Sequence, residues 1–317
     1  MQKTTLTQTA LAAALVTLAG QANGALKLVG TTSDTDFNVV TNAGAVRTAN
    51  FSGISDPVTG IGMTGRFTFV SGDSGGGTGP WSLDVAMSAN APGGASSATF
   101  TPLGGDQTIA DYPLQDGARV FGSGVAGNGS WQFNLSSTQA QAGWTYGLRD
   151  VQYHLFADAA DQTFTSTVRP DDSQQWDRPF FIAGVSGLGP TAYAVQEFTV
   201  DTSGVYDFSS VLSNGGDHFS FLYSDSFDAS SSLDNLLDYG LGNGFNVNGD
   251  PRGTSSFSTV LFEGETYYWV TSQWASFSTI ADATNTIVGP GTVTIVPAPA
   301  GAFALLGVAA ASHRRRH

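Results

Sequence analysis

Asn246, Asn248 and Asp250 alternate along the glycine-rich run GNGFNVNGDPRG, and together they offer amide and carboxylate oxygens. Hard cations take such oxygens, so this run is the expected calcium site, the one cofactor the sequence offers; Asp158 with Asp161 and Asp171 with Asp172 are weaker pairs. The run lacks the distal Glu of an EF-hand loop. Tryptophans stand at 81, 131, 144, 176, 269 and 274, and Trp176 and Trp274 lie among polar residues. Those two are the expected stacking partners for a sugar ring, and the other four are expected in the core. Histidines occur at 154, 218, 313 and 317. Two separated imidazoles without thiols do not make a zinc site, which wants three or four nitrogen or sulfur ligands. Glu197, Glu263 and Glu265 are the only glutamates, and the last two flank Gly264 in an expected turn.

Ser74 lies in Gly72-Asp73-Ser74-Gly75-Gly76, which resembles the segment around the nucleophile of trypsin-like proteases. Such a serine needs an imidazole base oriented by a carboxylate. In those proteases the base precedes the nucleophile, whereas the first histidine here is His154. The pentapeptide reads as a flexible turn, no catalytic residue is assigned, and the chain is expected not to be an enzyme.

The elements that must carry these residues are strands. The chain has 317 residues with 40 glycines, no cysteine and only 12% charged residues. Absence of cysteine excludes disulfide frameworks, thiolate zinc sites and thiol catalysis. A net charge of −14 excludes a nucleic-acid partner, whose phosphates need clustered Lys and Arg. Three of the 26 acids are Glu and the rest are Asp, which favours turns and caps. Period-two or apolar runs bounded by Gly, Pro, Asp and Asn recur at 65–70, 81–87, 130–135, 151–156, 218–223, 266–271 and 291–296. They predict an all-β chain of two antiparallel, jelly-roll-like sandwiches, 26–165 and 180–295, joined by a linker at 166–179. Leu233, Leu236 and Leu237 predict one short helix or turn over 231–239.

Both ends read as addresses. Residues 1–25 place Lys3 before an apolar run at 10–18 and the small residues Ala22, Gly24 and Ala25, the order of a secretory signal peptide. The apolar run is about half the roughly 20 residues that would span a bilayer. At the other end, Val296, Pro297 and Pro299 lead into an apolar stretch at 300–311, then Arg314, Arg315 and Arg316. This order resembles the PEP-CTERM sorting signal of exosortase-processed bacterial proteins, with Ala298 where that family usually has Glu. The resemblance implies a sorting tail over 296–317 whose apolar stretch 300–311 is a short hydrophobic anchor helix, an exosortase-type processing enzyme besides signal peptidase, and transient membrane attachment. Arginines past an apolar segment stay on the cytoplasmic side. Setting aside Lys3 and these arginines leaves eight basic residues against all 26 acids, a net of −18 for the exported part.

The second half carries a further resemblance. Tyr206 after Gly204, Leu222-Tyr223 before Ser226-Phe227-Asp228, Asn235-Leu236-Leu237, Gly264 to Tyr268, and Gly289-Pro290-Gly291 are similar to a bacterial pre-peptidase C-terminal-type β-sandwich. The first half more loosely resembles the jelly-roll modules that precede such domains, through Gly79-Pro80-Trp81 and 129–133. The resemblances imply a non-catalytic exported protein, structural or adhesive, at the cell surface or in exopolysaccharide matrix. The alternative reading is a secreted carbohydrate- or calcium-binding module.

Overall fold

The computed structural model describes residues 24–72, 84–101, 112–137, 143–181, 184–244 and 250–296. The leader 1–23, the tail 297–317 with Pro297, Pro299 and the three arginines, Ser74, Asn246 and Asn248 lie outside them. Among the described residues no helix is long and apolar enough to cross a membrane.

The chain is all-β, with antiparallel sheets forming sandwich-like domains. The first half contributes β1 (Leu26–Ser33), β2 (Phe37–Val40), β3 (Ala45–Phe51), β4 (Gly60–Ser71), β5 (Val85–Asn90), β6 (Tyr112–Arg119), β7 (Gly129–Ser137) and β8 (Thr145–Asp158). The order β6-β4-β8-β1, with β2 also on β8, makes one layer, and β3-β7-β5 makes the other. Alternation puts Ile61, Met63, Tyr153 and Leu155 of the first layer against Phe51, Trp131, Phe133 and Leu135 of the second. Phe133 and Tyr153 stack across the gap, centroids 4.1 Å apart.

The second half contributes β9 (Gln162–Val168), β10 (Asp171–Trp176), β11 (Pro179–Phe180), β12 (Gly184–Val185), β13 (Thr191–Val200), β14 (Gly204–Leu212), β15 (His218–Ser224), β16 (Leu236–Leu241), β17 (Thr254–Leu261), β18 (Thr266–Gln273), β19 (Ala283–Gly289) and β20 (Val293–Ile295). One layer is β17, β14, β19 and β9; the other runs β10-β13-β18-β15-β16, with β20 on the edge of β13. Between them Phe208 meets Trp269 edge-on at 5.1 Å and stacks on Phe257 at 4.7 Å. The far face of β15 and β18 buries Phe219, Phe221, Tyr223 and Val270 under a second apolar cluster. β15 is therefore covered on both faces, which is why 218–223 reads as a nearly continuous apolar run.

One expectation is corrected and one is narrowed. The segment 166–179 is strand rather than linker: β9 pairs with β19 from Gln162 to Val168, and β10 pairs with β13. Threonine- and serine-rich edges pair as readily as apolar ones when a neighbour offers free backbone groups. Of the two alternatives expected over 231–239, residues 232–235 take the turn, and no helix forms. Asp228 accepts from the N–H and hydroxyl of Ser230, the chain turns, Asn235 takes φ 59°, and β16 then pairs with β15.

The two halves share the large sheet. β1 pairs with β8 along its length and, at Leu26 and Lys27, with Val205 and Gly204 of β14. Gln115 donates to the Val260 carbonyl, and Thr259 Oγ1 donates to Gln115 O at 3.0 Å. Leu26, Phe156 and Val260 form a small core at this seam. Phe156 fits because Gly62 and Gly117 face it: a Cβ would lie 2.6 and 2.5 Å from its Cε2. Gly117→Val is expected to lose about 1–3 kcal/mol in urea unfolding, from overpacking the seam.

Asp238 points inward from β16, fully buried, with Oδ1 accepting the Tyr239 N–H at 2.7 Å and Oδ2 unpartnered. Burial holds its carboxyl well above the usual 3.8; the Tyr239 N–H opposes this and the charge of Asp116 adds to it. A raised folded value means stability is lost as pH rises above the unfolded value. Asp238→Asn is therefore expected to stabilise the protein at pH 7 by on the order of 1 kcal/mol. The gain should vanish as pH falls toward 3.8 in urea titrations at successive pH values.

Candidate functional site

Three segments meet at one end of the second sandwich. The turn after β14 brings Asp217, the chain after β16 brings Asn243 and Gly244, and Asp250, Pro251 and Arg252 return toward β17. Trp274, one residue past β18, completes an open cleft of about 640 Å³. That size suits one or a few sugar rings.

Arg252 grips Asp217 with two bonds, Nε to Oδ1 at 2.6 Å and Nη2 to Oδ2 at 3.0 Å. The carboxylate beside it holds the guanidinium above its ordinary value. The paired geometry fixes both groups in orientation on the rim. Asp250 accepts from Ser256 Oγ. One face of Trp274 stacks on Phe219 at 4.8 Å and 12°, and the half-buried residue lines the cleft. Below it, Arg178 is fully buried. Its Nε and Nη2 donate to the Trp274 carbonyl at 2.8 and 2.5 Å, and its guanidinium lies 4.1 Å from the Phe219 ring centre. Burial lowers Arg178 to about 10, so it stays charged at neutral pH. Carbonyl oxygens and π faces take the place of a counter-ion and anchor Trp274 at its backbone.

Trp274 is thus placed where a ligand can reach it, and Trp176 is not. Trp176 is 3% exposed. Its Nε1 donates to Ser272 Oγ at 3.0 Å, and the rings of Tyr193, Phe221, Tyr223 and Phe227 surround it. The polar neighbours in sequence are edge residues of β10, whose exposure says nothing about the side chain that turns inward at its end. Trp176 is a core residue.

Of the expected calcium ligands, Asp250 alone is among the described residues, on the cleft rim. Among the described residues no three His, Asp or Glu side chains converge as a metal site. The weaker pairs have structural partners: Asp158 takes Thr59 and Arg119, Asp161 takes the Ala25 N–H, and Asp171 caps the Ser173 N–H.

One arrangement escaped the sequence. His218 Nε2 lies 3.1 Å from Ser210 Oγ, between β15 and β14 of the facing layers, a distance suited to a base and its nucleophile. Ser210 is 0% and His218 1% exposed, and His218 Nδ1 has no partner where an orienting carboxylate would stand. Substrate cannot reach the serine, so the pair is structural. His154 is equally buried, between Thr31 Oγ1 and Thr64 Oγ1 at 3.0 Å each. Burial lowers both imidazoles to about 4, leaving them neutral at pH 7.

No family model matches the chain, and no curated protein matches it. Among solved structures, the CBM22-1–CBM22-2 tandem domain of Paenibacillus barcinonensis Xyn10C aligns at 13% identity, over 87% of this chain and 99% of that one, with a TM-score of 0.25. The tandem CBM51 modules of a family 98 glycoside hydrolase from Streptococcus pneumoniae align at 12%, over 85% and 88%, with a TM-score of 0.23. The VP2 subviral particle of infectious bursal disease virus aligns at 10%, over 86% and 80%, with a TM-score of 0.18. At these values the likeness assigns neither family nor ligand.

Proposed function

We propose that this chain is an exported, non-catalytic β-sandwich protein that binds polysaccharide in the Trp274 cleft. The observation that carries this reading is the cleft itself, where an anchored indole stands beside Asp217, Asn243, Asp250 and Arg252. Sugar rings present C–H faces that pack on indole and hydroxyls that bond to carboxylate, amide and guanidinium groups. The test is affinity electrophoresis through gels cast with a broad set of acidic and neutral polysaccharides. Retardation by at least one polymer is expected, and free migration in all of them would count against the reading. Repeating the retarding gel with chelator separates a calcium-dependent site, with Asp250 as a rim ligand, from direct sugar contact.

The setting proposed for this binding is the cell surface or exopolysaccharide matrix. The sequence pattern of both ends supports it, as does the net charge of −18 between them, which suits a polymer- and cation-rich exterior. Val296 donates to the Glu197 carbonyl at 3.0 Å on the edge of β13, so the tail departs from a pinned point. The C-terminal peptide from cell-surface and medium fractions is expected to end near Pro299. A terminus at His317 would sink the sorting signal and leave a secreted binding module.

A further inference from the structure

The seam between the halves holds a small polar cavity of about 250 Å³, lined by Ala25, Arg119, Val205, Asp207 and Ser258 among others. Its charges do not balance. Asp158, Asp161 and Asp207 approach it from the end of β8, the turn into β9, and β14, while Arg119 of β6 is the one cation facing them among the described residues. Arg119 Nη1 already serves Asp158. Asp207 is held by Ser258 Oγ at 2.5 Å, and burial pushes its carboxyl up, with Asp161 adding to the effect.

The backbone at the cavity's mouth offers one further donor. The Ala25 N–H donates to Asp161 Oδ1, and the Ala25 carbonyl accepts from Ala159 N at 2.8 Å, so residue 25 is fixed just before β1 starts. The Gly24 carbonyl accepts from Arg119 Nη2 at 2.9 Å. In the sequence, Ala22 and Gly24 stand three and one residues before Ala25, the small-residue spacing a signal peptidase cuts after.

We propose that Ala25 is the first residue of the exported protein and that its α-ammonium is held by Asp161 at the seam. Hydrolysis of the Gly24–Ala25 amide adds water across that bond. The carboxylate leaves on Gly24 with the leader, and the amine stays on Ala25, protonated at neutral pH. Processing then turns a neutral N–H donor into a charged one at the same atom, beside three carboxylates. Export maturation and the docking of β1 against β14 are thereby coupled. This rests on the reading of the N-terminal segment as a leader, with its end placed at Gly24 rather than Ala25, and the experiment separates the two.

N-terminal sequencing of the exported protein is expected to begin Ala25-Leu26-Lys27. Urea unfolding from pH 6 to 10 is then compared for that protein, its N-acetylated form and Asp161→Asn. An ammonium paired in the folded state titrates above its ordinary value of about 8. Its contribution is full below that value and lost as pH rises through the folded one. The unfolding constant of the native protein is expected to rise about threefold more across this range than in either altered form, a size fitting an exposed pair. Sequence beginning at Met1 would overturn the leader and this inference together. A start at another residue would overturn the assignment of Ala25 while keeping export. A start at Ala25 with three identical pH profiles would overturn only the ammonium–Asp161 pair.

Discussion

Trp274→Ala and Trp176→Ala are expected to separate binding from stability. Trp274→Ala should weaken polysaccharide binding about tenfold, a loss of about 1.4 kcal/mol, since a partly covered apolar ring face contributes on that order. Its stability loss should stay near 1–2 kcal/mol, because the ring is half-buried and Phe219 keeps its other neighbours. Trp176→Ala should lose about 3–5 kcal/mol in urea unfolding, emptying a pocket walled by four aromatic rings and leaving Ser272 Oγ without its indole donor. The molecules that remain folded should bind as the native protein does. Affinity electrophoresis and urea titration on the same preparations separate these outcomes. Equal loss of binding in folded Trp176→Ala would move the site away from the cleft.

Acid should find the protein's weak points at His154 and His218. Each imidazole is neutral in the folded state, with its titration lowered from 6.5 to about 4 by burial. In the unfolded chain each takes up a proton below its ordinary value. Stability from each is therefore full above pH 6.5 and lost as pH falls toward 4. At 1.36 kcal/mol per unit the loss is about 3 kcal/mol for each histidine. Asp238 works in the opposite sense over the same range, so the clean readout is a difference between proteins. The slope of unfolding free energy against pH should be less steep between 6.5 and 4 in His154→Asn, and less steep again with His218→Asn added. Unchanged slopes would mean that these rings are charged in the folded state or reach solvent.

The strands were legible in the sequence because their signal is local. Thr266-Tyr267-Tyr268-Trp269-Val270 alternates, and the structure sends Tyr267 and Trp269 to one core and Val270 to the other. What joins distant segments left no such trace. Two residue pairs tie β1 to β14 across 177 or more positions of sequence, and no periodicity encodes them. The end of β9 at 166–168 looked like linker because its residues are Ser and Thr with one Val, and only the partner β19 shows that it is strand. Leu233, Leu236 and Leu237 matched a helical period, yet the Asp228 turn and the open edge of β15 decided for strand. Trp176 and Trp274 looked alike from their neighbours. They differ through what folds over them, the 226–229 segment on one and the cleft on the other. The cleft's Asp217–Arg252 grip spans 35 positions, and nothing in either neighbourhood announces it.

The most direct test of polysaccharide binding at this cleft is an NMR titration with a fragment of the polymer that retards the protein most. The Trp274 indole N–H, the Asn243 side-chain amide and the Arg252 Nε–H are expected to shift together and saturably, while the Trp176 indole N–H stays in place. Shifts confined to other surfaces, or none at saturating saccharide, would contradict the cleft as the binding site.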